Sequence, residues 1–100
     1  MISGVYLIFN MIAGKCYIGS SINIPKRQKE HRYELSKNKH RNGRLQNAWN
    51  KYGEEAFMLI VLENCEQDKL IEREQFWIDG FDSCNRDIGY NLLPTAGSNY

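Results

Sequence analysis

The stretch that most constrains the fold runs from Gly4 to Ser20, GVYLIFNMIAGKCYIGS. It holds two short runs rich in β-branched and aromatic residues, Gly4 to Phe9 and Lys15 to Ile18, joined by a connector containing Asn10, Ala13 and Gly14. That is the sequence form of a β-hairpin. Each run carries one tyrosine, so antiparallel pairing sets Tyr6 and Tyr17 on one face, about 5 Å apart if they oppose directly. Gly19, just beyond the second run, lets a backbone or a ligand approach closely.

The rest of the chain reads as alternating support. Pro25 suits the first turn of a helix that runs to Ser36 or Lys37. Arg27 and His31 lie four residues apart and project from one of its faces, with Leu35 continuing the line toward the body of the protein. Asn38 to Gly43, which includes His40, is a polar loop. A second helix spans about Arg44 to Lys51 and stops at Gly53. Ala56 to Glu63 is a continuous apolar run, expected as a third strand, central in the sheet and covered on both faces. A closing segment, Gly89 to Pro94, is expected to pack Tyr90 or Leu92 and to turn Asn91 either to the site or into a turn. Residues 95–100 read as a loosely held tail.

The most informative helix is expected from Glu66 to Gly80. Leu70, Ile71, Trp77, Ile78 and Phe81 recur with helical period within an arc of roughly 120°. Glu74 falls in the middle of that arc, whereas Glu72 and Asp79 fall outside it. A carboxylate on a core face costs several kcal/mol unless a basic partner, protonation or a metal ion compensates it. Arg27 would be the structural partner. Magnesium or manganese would be the functional one, because such ions often take only one or two protein carboxylates.

A chain of 100 residues fits one small domain, 1–100. No apolar run approaches membrane-spanning length and no signal core follows Met1, so the expected location is intracellular. Cys16, Cys65 and Cys84 are odd in number and not closely paired, which suggests neither a disulfide framework nor a zinc site. The net charge of +1 conceals an asymmetry. Pro25 to Arg44 carries eight basic and two acidic residues, while Glu54 to Asp87 carries three basic and ten acidic ones. Such segregation suits one face turned to a polyanion and another to solvent.

Gly4-Val5-Tyr6 followed by Tyr17-Ile18-Gly19 resembles the GIY-YIG nuclease signature, with Val in place of the usual middle Ile. The resemblance extends over essentially the whole chain and is closest to the catalytic domain of GIY-YIG homing endonucleases. Its functional positions match Tyr6, Tyr17, Gly19, Arg27, His31, His40, Glu74 and Asn91, with Glu74 as the metal ligand. It implies a small α+β sandwich, a three-stranded antiparallel sheet flanked by helices in the order β-β-α-α-β-α. That order is the one read from the chain, and it is not the alternation of a doubly wound parallel sheet.

The resemblance implies hydrolysis of double-stranded DNA with one magnesium or manganese ion per site. Glu74 would hold that ion, and Arg27 would neutralise phosphoryl oxygens. Tyr6 would deprotonate the attacking water with His31 taking or relaying the proton, and Tyr17 would orient water or phosphate. Tyrosinate at neutral pH carries a penalty of about 4 kcal/mol unless the site offsets it. Lys26, Lys37, Lys39 and Arg41 would grip the DNA backbone. Specificity would come from a separate DNA-binding domain or partner. Two other readings fit parts of the pattern: a structure-selective repair nuclease, and a non-cleaving nucleic-acid-binding module whose tyrosines stack on bases.

Overall fold

The expected hairpin forms, with β1 at Gly4–Asn10 and β2 at Lys15–Ser21. In this computed structural model, which describes residues 2–97, the turn is fastened by Asn10. Its Oδ1 accepts from the backbone N–H groups of Ile12 and Ala13, and its Nδ2 donates to the Tyr90 hydroxyl. Gly14 takes the left-handed φ of 72° that closes the turn. Tyr6 pairs with Gly19, and Tyr17 with Ile8. The two tyrosines therefore share a face but lie diagonally, not directly opposed.

Helix α1 spans Ile24–Ser36, capped by the Asn23 side chain with Pro25 in its first turn. Helix α2 spans Gly43–Tyr52, capped by Asn42 and stopped at Gly53 with φ 87°. A one-turn 3-10 segment leads into β3, Phe57–Asn64, and another leads into α3, Leu70–Phe81. This is the expected order of two strands, two helices, a strand and a helix.

The sheet order is β2-β1-β3, antiparallel throughout. The expectation that β3 is central and doubly covered is corrected: β1 is central, and β3 is an edge with Met58, Ile60 and Val61 exposed. A hairpin leaves its third strand only an edge position, and α3 packs mainly on β2 and β1, meeting β3 at Glu63 near its end. An unbroken apolar run cannot by itself report how many faces a helix covers. The two faces carry separate cores. Tyr6, Ile8 and Tyr17 pack with Ile24, Leu35, Leu45 and Ala48 of α1 and α2. Val5, Leu7, Cys16 and Ile18 pack with Ile78 of α3.

The stripe on α3 is narrower than its periodicity suggests. Glu74 and Ile78 are buried, but Ile71 and Phe81 are exposed. The helix is pinned at its flank, where Arg73 meets Glu63 through both Nε and Nη2 and the Trp77 indole N–H donates to the same carboxylate.

Segment 88–91 lies along the open edge of β2. Cys16 N–H donates to Ile88 O, and Tyr90 N–H to Cys16 O. The Asn91 amide then grips Ile18 from both sides, its Oδ1 accepting from Ile18 N–H at 2.8 Å and its Nδ2 donating to Ile18 O at 3.0 Å. Asn91 thus braces the backbone between Tyr17 and Gly19 and does not turn to the site. The tail is also held where it is described. Ala96 is buried and its N–H donates to Gln75, while residues 98–100 of the expected loose segment lie outside the described residues.

Asn91→Leu keeps the branched shape of the side chain but leaves the Ile18 N–H and C=O buried without the amide. We expect a loss of about 2–4 kcal/mol in urea unfolding. A change under about 0.5 kcal/mol would remove the clamp from the account.

Candidate active site

A glycine places the first tyrosine. A Cβ at Gly19 would stand 2.6 Å from both Cζ and Oη of Tyr6, so the Tyr6 ring lies flat across the Gly19 backbone. By crossing there the phenol reaches the margin of the sheet, because β2 is an edge strand. Glu74 arrives at the same margin from the opposite face. Its Oε1 accepts from the Ser20 hydroxyl at 2.5 Å, and its Oε2 from the Gly97 N–H at 3.1 Å. Tyr6, Tyr17, Gly19, Ser20, Arg27, Ile71, Glu74 and Gly97 line one cavity of about 160 Å³.

Of the residues expected at the site, five meet in this cavity, and Gly19 lies among them. His31 stands just behind. Its Nε2 is 2.5 Å from the Tyr6 hydroxyl, and its ring meets both tyrosines edge-on. His40 is one step further back, with its Nε2 2.7 Å from His31 Nδ1 and the two rings nearly parallel. Sequence reasoning did not single out Ser20, whose position beside Gly19 was the available signal, nor Gly97.

Arg27 joins this cavity to a second groove, lined also by Lys26, Lys29, Glu30, Tyr33, Glu34 and Arg41, in which four cations outnumber two carboxylates. Its ion pairs run to Glu30 at 3.3 Å and Glu34 at 3.8 Å on its own helix. Those contacts, with Ser20 and Gly97 on Glu74, differ from the buried Arg27 to Glu74 pair that a purely structural role predicts. Lys26 and Arg41 thus share a groove with Arg27. Lys37 caps the far end of α1, about 16 Å along the helix from Lys26, and Lys39 follows in the loop.

Burial dominates the electrostatics. It pushes the Tyr6 phenol well above its ordinary value, and Tyr17 nearby adds to this while the Arg27 guanidinium opposes it. Tyr17 is pushed up as well, by burial and then by Glu74, again against Arg27. The expected lowering of a phenol therefore does not come from the protein groups alone. Both imidazoles are pushed down, His31 to about 2 and His40 to about 4, first by burial and then by the charge of Arg27.

Among the described residues, two groups offer metal ligands. His31, Glu34 and His40 present donor atoms within 4.8 Å of one another and could hold an ion. However, the two imidazole nitrogens are hydrogen-bonded at 2.7 Å, whereas ligands of a tetrahedral zinc stand about 3.3 Å apart. Their lone pair and proton are spent on each other. Glu74, with the Ser20 oxygen beside it and a cavity in front, offers the hard oxygen donors that magnesium or manganese takes.

Residues 2–88 match the GIY-YIG catalytic domain family. The chain is 40% identical over 98 residues to Intron-associated endonuclease 1 of Enterobacteria phage T4, covering 96% of this chain and 39% of that protein's length. In three dimensions it resembles a mutant of the catalytic domain of intron endonuclease I-TevI, with a TM-score of 0.86 and 38% identity over 95% of this chain and 97% of that one. The catalytic domain of homing endonuclease I-TevI matches with a TM-score of 0.83 and 39% identity over 91% and 98% of the two chains.

The neutral histidine pair ties stability to pH. Each folded pKa lies below the ordinary 6.5, so the unfolded chain binds more protons as pH falls. The stabilisation is complete above about pH 6.5 and is lost toward about 4 for His40 and about 2 for His31. From pH 7 to 5, urea unfolding should lose about 3–4 kcal/mol, and about half of that in His40→Asn. A flat profile over this window would mean the pair is not held neutral.

Proposed function

The chain belongs to the GIY-YIG catalytic domain family, and on that basis we propose that it is a divalent-metal-dependent endodeoxyribonuclease, the catalytic domain of a homing-type endonuclease. The observation that carries this reading is the convergence of a buried carboxylate, two phenols and a guanidinium in one cavity assembled from both faces of the sheet. A non-cleaving binding module would have no use for a buried glutamate held at the open end of that cavity.

One magnesium or manganese ion, held by Glu74, would when bound supply Lewis-acid stabilisation of the phosphoryl and leaving 3′ oxygens. The remaining tasks belong to the chain's own side chains. Once ionised, its own proton released to water in the cavity it lines, Tyr6 takes the proton of the attacking water, and Tyr17 orients water or phosphate. Burial makes either phenol reluctant to ionise, and the Arg27 charge beside both works against that reluctance. Arg27 also neutralises charge developing on the phosphoryl oxygens, for which its permanent charge and forked donors suit it.

Double-stranded DNA approaches along the groove of Lys26, Lys29 and Arg41, with Lys37 and Lys39 extending the contact past the end of α1. These are phosphate contacts, salt-dependent and indifferent to sequence. Because the chain spans about 39% of the T4 relative's length, we assign target choice to a separate DNA-binding part or partner. Residues 1–100 act as one catalytic domain. Among the described residues no helix is long and apolar enough to cross a membrane, and the DNA substrate sets the working location inside the cell.

The test is nicking of supercoiled plasmid with and without magnesium by the wild-type chain and by Glu74→Ala, both shown to be folded by circular dichroism. Metal-dependent nicking is expected, falling on the order of 10³-fold or more in the variant. Equal cleavage by the two proteins, or cleavage unaffected by chelation, would overturn the assignment of Glu74.

A further inference from the structure

Three hydrogen bonds run in series behind the cavity: from the Asn42 backbone N–H to His40 Nδ1 at 3.0 Å, between His40 Nε2 and His31 Nδ1 at 2.7 Å, and between His31 Nε2 and the Tyr6 hydroxyl at 2.5 Å. The first of these sets the direction of the others. A peptide N–H can only donate, so His40 Nδ1 is an acceptor and carries no proton. With both imidazoles neutral, the His40 proton is on Nε2 and is donated to His31 Nδ1. The His31 proton is then on Nε2 and is donated to the Tyr6 oxygen.

This direction has a chemical consequence. A proton leaving Tyr6 would find His31 Nε2 already protonated; beyond it the hydrogen-bonded line reaches the Asn42 peptide N–H, which passes nothing on, and the Glu34 carboxylate stands 3.9 Å from His40 Nε2, outside hydrogen-bond reach. The histidines therefore do not accept the proton of Tyr6. They aim an N–H at its oxygen, which favours the anion over the phenol, and they leave the Tyr6 O–H bond directed away from His31.

The His40 backbone is held by a residue that no functional assignment has used. Gln46 is buried, and its Oε1 accepts the His40 N–H at 3.0 Å. Its Nε2 donates to Leu35 O and to Asn50 Oδ1, both at 3.0 Å. Leu35 is one helical turn after His31 on α1, so a single side chain fixes the loop bearing His40 against the helix bearing His31. Asn42 is fully buried as well, tied by Oδ1 to Leu45 N–H and by Nδ2 to Tyr90 O, which fixes where its own N–H points.

We propose that Gln46 is a positioning residue: with the Asn42 backbone it locks His40, and through it His31, in the Nε2-protonated tautomer, so that the pair is a fixed hydrogen-bond donor to Tyr6 and not a proton shuttle. The proposal rests on the reading of Tyr6 as the base. Its structural half can be tested without cleavage.

The first measurement is ¹⁵N NMR of the full chain labelled at histidine, of which there are only two. The expected result is both rings protonated at Nε2, with a coupling through the hydrogen bond between His40 Nε2 and His31 Nδ1. Protonation of His40 at Nδ1, or absence of the coupling, overturns the lock in the wild-type chain with no variant required. The second is Gln46→Met, checked for fold by circular dichroism. The expected result is loss of the coupling, two tautomers at His40, and a kcat for magnesium-dependent plasmid nicking lower by about ten- to a hundredfold with KM within about twofold. A variant that keeps both the coupling and the rate removes Gln46 from the proposal. A wild-type chain with the expected tautomers but no nicking would instead count against the nuclease reading.

Discussion

The structure depends on a line of buried polar groups that begins at a peptide N–H and ends at a phenol. Asn42, His40, His31 and Tyr6 come from the start of α2, the loop before it, α1 and β1, so this line crosses the core on the α1 and α2 side of the sheet. Buried polar groups are tolerated only when each finds a partner. Here each ring nitrogen has one, and the cost of breaking any link is a stranded donor or acceptor in an apolar surround. The same low-dielectric setting that keeps the imidazoles neutral also makes their orientation matter to the phenol.

Around this line the site is built by two faces of a sheet that meet only at its margin. Tyr6 and Tyr17 belong to the core under α1 and α2, while Glu74 descends from α3 on the other side. They can share a cavity because β2 is an edge and because Gly19 has no side chain to obstruct the ring lying over it. The edge would otherwise be open to pairing, but residues 88–91 and the Asn91 amide occupy it.

Much of this was legible in the residues. Alternation and turn chemistry placed the hairpin, helical period separated Glu74 from Glu72, and a spacing of four residues put Arg27 and His31 on one face. What could not be read was whatever depends on how elements meet. The position of β3 at the edge follows from pairing, not from its own apolar run. The clamp of Asn91 on Ile18 joins residues far apart in sequence, and a Gly-Tyr-Asn segment gives no hint of which strand it will brace. The direction of the histidine chain is set by an amide hydrogen that no side-chain pattern records. Gln46 read as one more polar position in a short amphipathic helix.

The outer strand carries a consequence of a different kind. Met58, Ile60 and Val61 on β3 are exposed, between 37% and 44%, on the strand that ends the sheet opposite β2. An apolar edge of that type is a template for recruiting another unfolded or partly folded chain at high concentration. Acidic residues bracket it, Glu54 and Glu55 before and Glu63 and Glu66 after, in the manner of gatekeepers. Colloidal behaviour and chemistry are thus assigned to opposite edges of one small sheet, and substitutions that make the outer edge more soluble have no reason to reach the catalytic one.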